Sequence, residues 1–199
     1  MIEEKIQQRT DAWFKARCGI PTSSGFDKII TPKGEPSRQM QKYLYQLAGE
    51  CVTGIKEESY INAAMQRGID KEPEARKFYE LIKGCKVKEA GICYIDKKKQ
   101  FSCSPDGFVG SDGLVEIKCP EIWTHVGYMV NGGLYEDYFV QCQGQLFITR
   151  KKWVDVISYY PSLRPLIVRV KPDMTFITNL ESSLHHFCRE LDKVVSKIK

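Results

Sequence analysis

Three charged residues in the middle of the chain have types and spacing that can do chemistry. Asp106 lies in the sequence SPDG, and Glu116 and Lys118 stand two residues apart in LVEIKCP. Because side chains alternate along a strand, Glu116 and Lys118 point to one face while their apolar neighbours Val115 and Ile117 point toward a helix layer. The sequence therefore predicts an acid and a base side by side on an otherwise apolar strand.

A turn signal between these two motifs is expected to bring them together. Residues 110–113 read GSDG, a pattern that predicts a tight hairpin. If the two glycines of this turn face each other, Asp106 lies opposite Ile117, and the two charged residues of the next strand lie diagonal to it. Diagonal neighbours are roughly 7 to 8 Å apart at the backbone, and two carboxylates at that distance are able to share a cation about 2 Å from each oxygen.

Oxygen ligands of this kind select Mg²⁺ or Mn²⁺ over Zn²⁺ and indicate phosphate chemistry. A metal between Asp106 and Glu116 would polarise a phosphoryl oxygen and acidify a bound water. Lys118 would orient that water or offset charge in the transition state. The alternative is purely structural: a strand-end salt bridge between Glu116 and Lys118, with Asp106 as a turn-forming residue.

The rest of the chain alternates between helical and strand patterns. Apolar spacing and capping residues predict helices near residues 11–17, 22–30, 37–53, 62–83, 125–130, 136–149 and 180–198. Period-two patterns predict strands near residues 87–94, 101–109, 114–118, 153–159 and 166–170. This order predicts an α/β or α+β sandwich of helices on a mixed sheet.

Composition sets broad limits. The 199 residues carry 30 Lys and Arg against 25 Asp and Glu, a net charge of +5 that permits an anionic partner without naming one. The length suits one domain over residues 1–199. The polar N-terminus, and the lack of a run of about 20 apolar residues, predict neither secretion nor a membrane span, so we expect a cytoplasmic protein.

Cysteine and tryptophan usage adds two further expectations. The eight cysteines are spread along the chain without a CxxC pair. They therefore predict free thiols in a reducing compartment and no structural zinc site. The three tryptophans (Trp13, Trp123 and Trp153) are expected in the core rather than as base-stacking groups.

Beyond these residues, five sequence blocks follow one another in a familiar order. They are QRTDAWFKARCGIPTSS (8–24), RGIDKEPEAR (67–76), SPDG (104–107), LVEIKCP (114–120) and YFVQCQGQL (138–146). Together they resemble the lambda-exonuclease or YqaJ-type viral recombination nucleases of the PD-(D/E)XK superfamily, over residues 7–170. The resemblance implies an α/β fold with a PD-(D/E)XK restriction-endonuclease-like core, a central mixed β-sheet flanked by α-helices.

The resemblance also implies roles for the residues that match the family's motifs. Asp106 and Glu116 match its metal ligands, together with the backbone carbonyl of Ile117. Lys118 matches its catalytic lysine. Glu72 matches a helix carboxylate that supports the metal, directly or through a water. The implied cofactor is Mg²⁺, with Mn²⁺ as a substitute.

Helical geometry bears on two of the matched positions. Glu72 shares a helix face with Arg76, so an ordinary surface salt bridge is the alternative to a metal-site role. Gln141 matches an active-site glutamine of the family. At 100° per residue, Gln141 and Gln145 share a face while Gln143 points nearly opposite. A solvated glutamine face is the alternative, and the role of Gln145 stays open.

Arg17 and Ser24 match residues that hold the terminal 5′-phosphate of DNA in this family. A guanidinium binds phosphate bidentately, and a serine near a helix start adds a hydroxyl and free N–H groups. The alternatives are that Ser24 is an N-cap and that Arg17 is a cation at a helix C-terminus. The TSS of this chain differs slightly from the family's commoner TAS.

The resemblance implies a metal-dependent 5′-to-3′ exonuclease that acts on ends of double-stranded DNA. Such an enzyme releases 5′-mononucleotides and leaves 3′ single-stranded overhangs for recombination by strand annealing. A ring-shaped homotrimer, a single-strand annealing partner and the cytoplasm of a bacterial host for a phage-encoded chain are implied as well.

Three other functions are compatible with parts of this sequence to different degrees. A restriction-type endonuclease of the same superfamily and a non-catalytic DNA-binding subunit stay open as alternatives. An iron–sulfur member of the superfamily is disfavoured, because only Cys188 lies beyond Cys142 and no C-terminal CxxC cluster is present.

Overall fold

The computed structural model describes residues 1–56 and 63–199. The strands in this part of the chain are β1 (Ile2–Glu4), β2 (Val87–Lys88), β3 (Ile92–Tyr94), β4 (Ser102–Cys103), β5 (Gly107–Val109), β6 (Gly113–Lys118), β7 (Trp153–Ser158) and β8 (Leu166–Val170). The helices are α1 (Asp11–Ala16), a 3₁₀ helix (Ser23–Lys28), α2 (Met40–Thr53), α3 (Ala63–Lys83), α4 (Ile122–Asn131), α5 (Leu134–Thr149) and α6 (Met174–Ile198).

A five-stranded mixed sheet forms the centre of the fold, in the order β2-β5-β6-β7-β8. Strands β6 and β7 run parallel, with α4 and α5 connecting them, and the other neighbours are antiparallel. A smaller antiparallel sheet has the order β1-β3-β4. This arrangement confirms the predicted α/β fold, a central mixed sheet flanked by helices.

Strand β6 is covered by helices on both faces. Val115 and Ile117 pack with Ala75 and Tyr79 of α3, which confirms that the apolar residues of this strand face a helix layer. Leu114 points to the other face and joins the main core, to which α5 contributes. Helix α2 packs on α6, and α6 packs on α5. The charged residues of β6 therefore lie on the face that α5 covers.

The predicted register of the β5–β6 hairpin is wrong by one residue. Val109, not Gly110, pairs with Gly113, so the turn has three residues and begins at Gly110 in the left-handed region, with a φ of 58°. Gly113 thus belongs to the ladder rather than to the turn, and a larger residue would not fit there, because the Trp153 indole of β7 occupies the space where its Cβ would lie. Continued by one residue, the observed register brings Asp106 level with Glu116 rather than Ile117.

Two segments predicted as single strands are each divided between the two sheets. The segment 87–94 contributes β2 to the large sheet and β3 to the small one, and the segment 101–109 contributes β4 and β5 in the same way. A close backbone contact and a proline lie at the two breaks. Gly91 lies so close to the backbone of Glu4 that no Cβ would fit there, and Pro105 has no N–H to offer a ladder.

Helices α5 and α6 begin earlier than the sequence predicted. Helix α6 begins at Met174, six residues before Leu180, the first residue of the predicted apolar stripe, because Asp173 caps it and accepts a hydrogen bond from the Phe176 N–H at 3.0 Å. Helix α5 begins at Leu134 after two glycines with positive φ. The predicted start of the third long helix near Asn62 lies outside the described residues.

The expectation that the tryptophans are core residues is wrong for Trp123, which is 69% exposed on α4. Trp13 and Trp153 are partly buried, and an arginine covers each ring. The Arg17 guanidinium lies 3.9 Å from the centre of the Trp13 ring, and that of Arg169 lies 3.6 Å from the Trp153 ring. Trp153 also packs against the core cluster that contains Val115 and Ile117, as expected for a core tryptophan, and both rings hold a cation in place.

The state of the cysteines and the character of the helices agree with the expectations from composition. The eight cysteines, all within the described residues, are free thiols, and half of them are buried. In the same part of the chain, no helix combines the length and the apolar character needed to cross a bilayer.

Close packing of α5 on the 3₁₀ helix gives a prediction for Gly144→Ala. An added Cβ would lie 2.6 Å from the ring of Phe26, which is fully buried and cannot move aside. Overpacking costs about 1 to 3 kcal/mol, against a helix-propensity gain of about 1 kcal/mol. We expect urea unfolding to show a free energy of unfolding lowered by roughly 1 kcal/mol.

Gly127→Ala is the matched control, because it is also a glycine inside a helix but has open space around its Cβ position. The control is expected to gain about 0.5 to 1 kcal/mol. Equal gains in the two variants would contradict the described packing of α5.

Candidate active site

Strand β6 brings Glu116 and Lys118 together on one face, as predicted. The Lys118 Nζ lies 2.7 Å from Oε1 of Glu116. The Glu116 residue is only 4% exposed. Burying a carboxylate is costly unless it is paired and hydrogen-bonded, so this pair needs further support from its surroundings.

Helix α5 supplies that support through two glutamines. The Gln141 amide donates to Oε1 of Glu116 at 2.6 Å, and its carbonyl oxygen accepts from Lys118 Nζ at 3.1 Å. The Gln145 amide donates to the other oxygen of Glu116, also at 2.6 Å. Gln143 points away and donates to the Lys171 carbonyl oxygen. The predicted division of faces is confirmed, and the alternative of a solvated glutamine face is wrong.

One turn before Gln141, Tyr138 covers the lysine. Lys118 Nζ lies 4.3 Å from the centre of the Tyr138 ring. A ring face attracts a cation, so the tyrosine adds a third contact that holds the ammonium group over the carboxylate.

Asp106 completes the acidic side of the site. Its Oδ2 accepts a hydrogen bond from the Ile117 N–H at 2.6 Å. Burial raises the pKa of Asp106 well above its ordinary value, and the charges of Glu116 and Glu72 raise it further. The charge of Lys118 and the N–H bond lower this pKa without offsetting the increase. The site therefore has more negative charge than its own residues balance.

The charge state of Lys118 follows from the same surroundings. Burial alone lowers the pKa of this lysine, but the charges of Glu116 and Asp106 outweigh it and raise the pKa above the ordinary value. Lys118 is thus an ammonium ion at neutral pH, suited to balance negative charge rather than to accept a proton.

Glu72 of α3 lies near Asp106, and two arginines pair with its carboxylate. Its Oε1 is 2.7 Å from Arg76 Nη2, so the predicted pairing along the helix face is present. Its other oxygen pairs with Arg9, a residue that the sequence analysis did not single out. Arg9 has a left-handed backbone with a φ of 65°. Nothing in the local sequence, which shows no glycine there, indicates that conformation.

The segment that carries Arg9 also fixes the loop before Asp106. The Gln8 amide donates to the carbonyl oxygens of Ala90, at 3.0 Å, and Pro105, at 2.9 Å. Gln8, Arg9, Glu72 and Asp106 line one cavity of 460 Å³. The carboxylates of Glu72 and Asp106 are therefore accessible to a ligand in this cavity.

The donor set can be compared with what a divalent cation needs. Among the described residues, no three His, Cys, Asp or Glu side chains are grouped closely enough to hold a metal ion by themselves. Mg²⁺ does not require such a cage, since it is usually held by one or two carboxylates with waters and substrate phosphates. The partly unbalanced charge of Asp106 and Glu116 fits that mode of binding.

A second site is built around Arg17, at the C-cap of α1. Its Nη2 donates to the hydroxyls of Thr22 at 2.9 Å and Ser24 at 3.2 Å. The Trp13 ring stacks below the guanidinium, and the indole N–H is fixed by Ser104 Oγ at 3.2 Å. Ser24 lies inside the 3₁₀ helix rather than at its N-cap, so the N-cap alternative is wrong. Thr22 is a partner that the sequence analysis missed.

Arg17 lacks an acidic partner among the described residues. Its Nε is buried without a hydrogen bond there, and no carboxylate lies within ion-pair distance of the guanidinium. Burial lowers the pKa of Arg17 to about 10, against opposing effects of Tyr43, Cys103 and Glu116. A partly buried guanidinium whose hydrogen-bond partners are hydroxyls is suited to receive an external anion.

Comparisons with known proteins can now be set beside this geometry. The model of the YqaJ-like viral recombinase domain matches residues 12–152. An alkaline exonuclease from Laribacter hongkongensis, LHK-Exo, is 35% identical and has a TM-score of 0.86, over 95% of this chain and 96% of that one. The same exonuclease in complex with dAMP gives a TM-score of 0.87 at 35% identity, over 96% of each chain.

A phage related exonuclease from Haemophilus somnus 129PT has the same fold, with a TM-score of 0.72 at 16% identity, over 90% of this chain and 96% of that one. No curated protein matches the chain. The domain match covers all the predicted site residues, and the similarity to LHK-Exo extends over nearly the whole of both chains. The chain therefore belongs to the YqaJ-like viral recombinase domain family, as its sequence blocks indicated.

Proposed function

We propose that this protein is a metal-dependent 5′-to-3′ exonuclease that acts on ends of double-stranded DNA. The observation that carries the proposal is the Arg17 pocket, a partly buried guanidinium without an acidic partner among the described residues. The charge of Glu116 acts on that guanidinium, so the pocket and the acidic group lie within electrostatic range. An anion pocket beside a carboxylate pair is what an enzyme that binds a terminal phosphate needs.

The two sites divide the work of the reaction. Arg17, with the hydroxyls of Thr22 and Ser24, binds the 5′-phosphate bidentately and fixes the end of the strand. The next phosphodiester then lies at the carboxylate pair. An enzyme anchored in this way removes nucleotides from the 5′ end, releases 5′-mononucleotides and leaves a 3′ single-stranded overhang.

Asp106 and Glu116, with the Ile117 carbonyl, would hold Mg²⁺ or Mn²⁺, and Glu72 would support it directly or through a water. When bound, the metal supplies Lewis-acid polarisation of the phosphate and a more acidic water. Lys118 stays protonated and balances the charge that develops on the phosphoryl oxygens. Gln141 orients Lys118 and Glu116 relative to each other, since it bonds to both.

The assembly and the biological setting are proposed on the family alone. A ring-shaped homotrimer would surround duplex DNA, and its modest charge of +5 per chain would be concentrated as a basic surface facing the phosphates. The 3′ overhangs would pass to a single-strand annealing protein in the cytoplasm of a bacterial host.

Removing the charged pair of β6 tests the proposed chemistry. Lys118→Ala and Glu116→Ala are each expected to lower Mg²⁺-dependent digestion of linear duplex DNA by at least about 100-fold, because charge balance and metal binding are lost. Circular dichroism should show an unchanged fold. Lys152→Ala is the control, since this exposed lysine pairs with Asp112 at the opposite end of the sheet. Undiminished digestion by both variants would defeat the assignment.

Asp106→Asn tests whether the acidic site awaits a cation. In EDTA we expect this variant to melt above the wild type, because one of the mutually repelling charges is gone while the bond from the Ile117 N–H is kept. Mn²⁺ at about 100 times its Kd should stabilise the wild type by about 2.7 kcal/mol. The variant should gain little from Mn²⁺. Thermal unfolding with and without metal measures both effects, and equal metal shifts would refute the proposed ligand.

Arg17→Ala tests the end-binding pocket. Hydrogen bonds to charged groups contribute about 1.5 to 3 kcal/mol, so digestion of 5′-phosphorylated ends should fall by about 10- to 100-fold. Digestion of 5′-hydroxyl ends should change much less. Lys15→Ala, an exposed cation on the same helix, is the control. Equal losses on the two kinds of end would contradict a phosphate pocket.

A further inference from the structure

We propose that Gln145 is a positioning residue for Glu116, one that fixes the carboxylate in the orientation needed to bind the metal. The inference rests on the proposed function, because it assumes a divalent cation at Glu116. It goes beyond that function by giving a role in metal binding to a residue that takes no part in the reaction scheme.

The hydrogen bonds to Glu116 are divided unequally between its two oxygens. Oε1 has two partners, Lys118 and Gln141, which bond to each other and are only partly buried. Oε2 has one side-chain partner, Gln145, whose amide nitrogen is 2.6 Å away and whose residue is 0% exposed. The rotation of the carboxylate is therefore set by a single buried amide on one side.

The other half of the Gln145 amide argues against a role in stability alone. Its carbonyl oxygen is buried and has no hydrogen-bond partner among the described residues. An unpaired buried acceptor costs free energy, which the hydrogen bond from the same amide to the Glu116 carboxylate must offset. The amide N–H is thus the part of Gln145 that the site uses.

Gln143 shows what a structural glutamine looks like on the same helix. It is also 0% exposed, but both halves of its amide are paired. Its nitrogen donates to the Tyr135 hydroxyl and the Lys171 carbonyl oxygen, and its oxygen accepts from the Asp173 N–H. These bonds connect α5 to the start of α6, on the side away from Glu116.

The test compares Gln145→Met with Gln143→Met, which remove buried amides of the same size from opposite faces of α5. The readout is Mn²⁺ binding to the free protein, by calorimetry or by electron paramagnetic resonance, at a temperature where circular dichroism shows both variants folded. Loss of a hydrogen bond to a ligating carboxylate typically weakens metal binding by about 10- to 100-fold. We expect that loss for Gln145→Met and less than a threefold change for Gln143→Met.

Digestion kinetics give a second readout. In Gln145→Met the concentration of Mg²⁺ needed for half-maximal digestion should rise by a similar factor, while the rate at saturating Mg²⁺ recovers most of the wild-type value. Lys118→Ala should not recover at any Mg²⁺ concentration. If Gln145→Met fails to fold, Gln145→Asn keeps a polar amide but withdraws it by one methylene, and the same losses are expected.

The outcomes separate the inference from the proposed function. Wild-type binding of Mn²⁺ that Glu116→Ala abolishes, together with weakened binding in Gln145→Met only, supports both. Unchanged binding in Gln145→Met, or an equal loss in Gln143→Met, overturns the positioning role while the metal site stands. A wild type that binds no Mn²⁺, or a Glu116→Ala variant that binds it normally, overturns the proposed function itself.

Discussion

The enclosed carboxylate of Glu116 places the strongest demand on this fold. A charge that is only 4% exposed must have donors on both oxygens, and here they come from β6 and α5. Strand β6 must present Lys118 on the same face as Glu116. Helix α5 must place the amides of Gln141 and Gln145 against the Glu116 carboxylate. On the same helix, Gly144 packs closely against Phe26 and Ser23, so α5 also positions the 3₁₀ helix that contains Ser24. The burial of one acid thus links the two candidate sites.

Charge balance explains the surroundings of the acidic group. Asp106 is held near Glu116 although the charge of Glu116 disfavours the ionised form of Asp106, and the charge of Lys118 does not offset that effect. Glu72 adds a third acid, whose charge is met by Arg9 and Arg76. Around Arg17 the imbalance has the opposite sign. The excess of negative charge at the acids suits a metal ion. The guanidinium of Arg17, which lacks an acidic partner among the described residues, suits a phosphate.

The local periodicities of the sequence predicted a good part of this site. Alternation along β6 placed Glu116 and Lys118 together, and the 100° step of a helix separated Gln143 from Gln141 and Gln145. Ordered sequence blocks indicated the family before any contact was known. These predictions succeeded because each depends on residues close together in the chain.

What depended on distant contacts could not be read from the sequence. The hairpin register depends on Gly113, which belongs to the ladder rather than to the turn. Its reason for being a glycine is the close contact with Trp153 of a later strand. The pairing of Arg9 with Glu72 joins residues 63 positions apart and needs a left-handed backbone that no glycine announces. The exposure of Trp123 depends on which face of α4 meets the sheet, a choice set by His125, whose ring bonds to Ser158 at 2.7 Å.

The central claim is that the protein degrades DNA from a 5′ end, with a divalent metal at the carboxylate pair. The most direct measurement is a time course on linear duplex DNA carrying a label at its 5′ end, beside covalently closed circular DNA, in Mg²⁺ and in EDTA. We expect early release of labelled mononucleotide from the linear substrate in Mg²⁺ only, while the closed circular DNA stays intact. Cleavage of the closed circle, or release of label in EDTA, would contradict it.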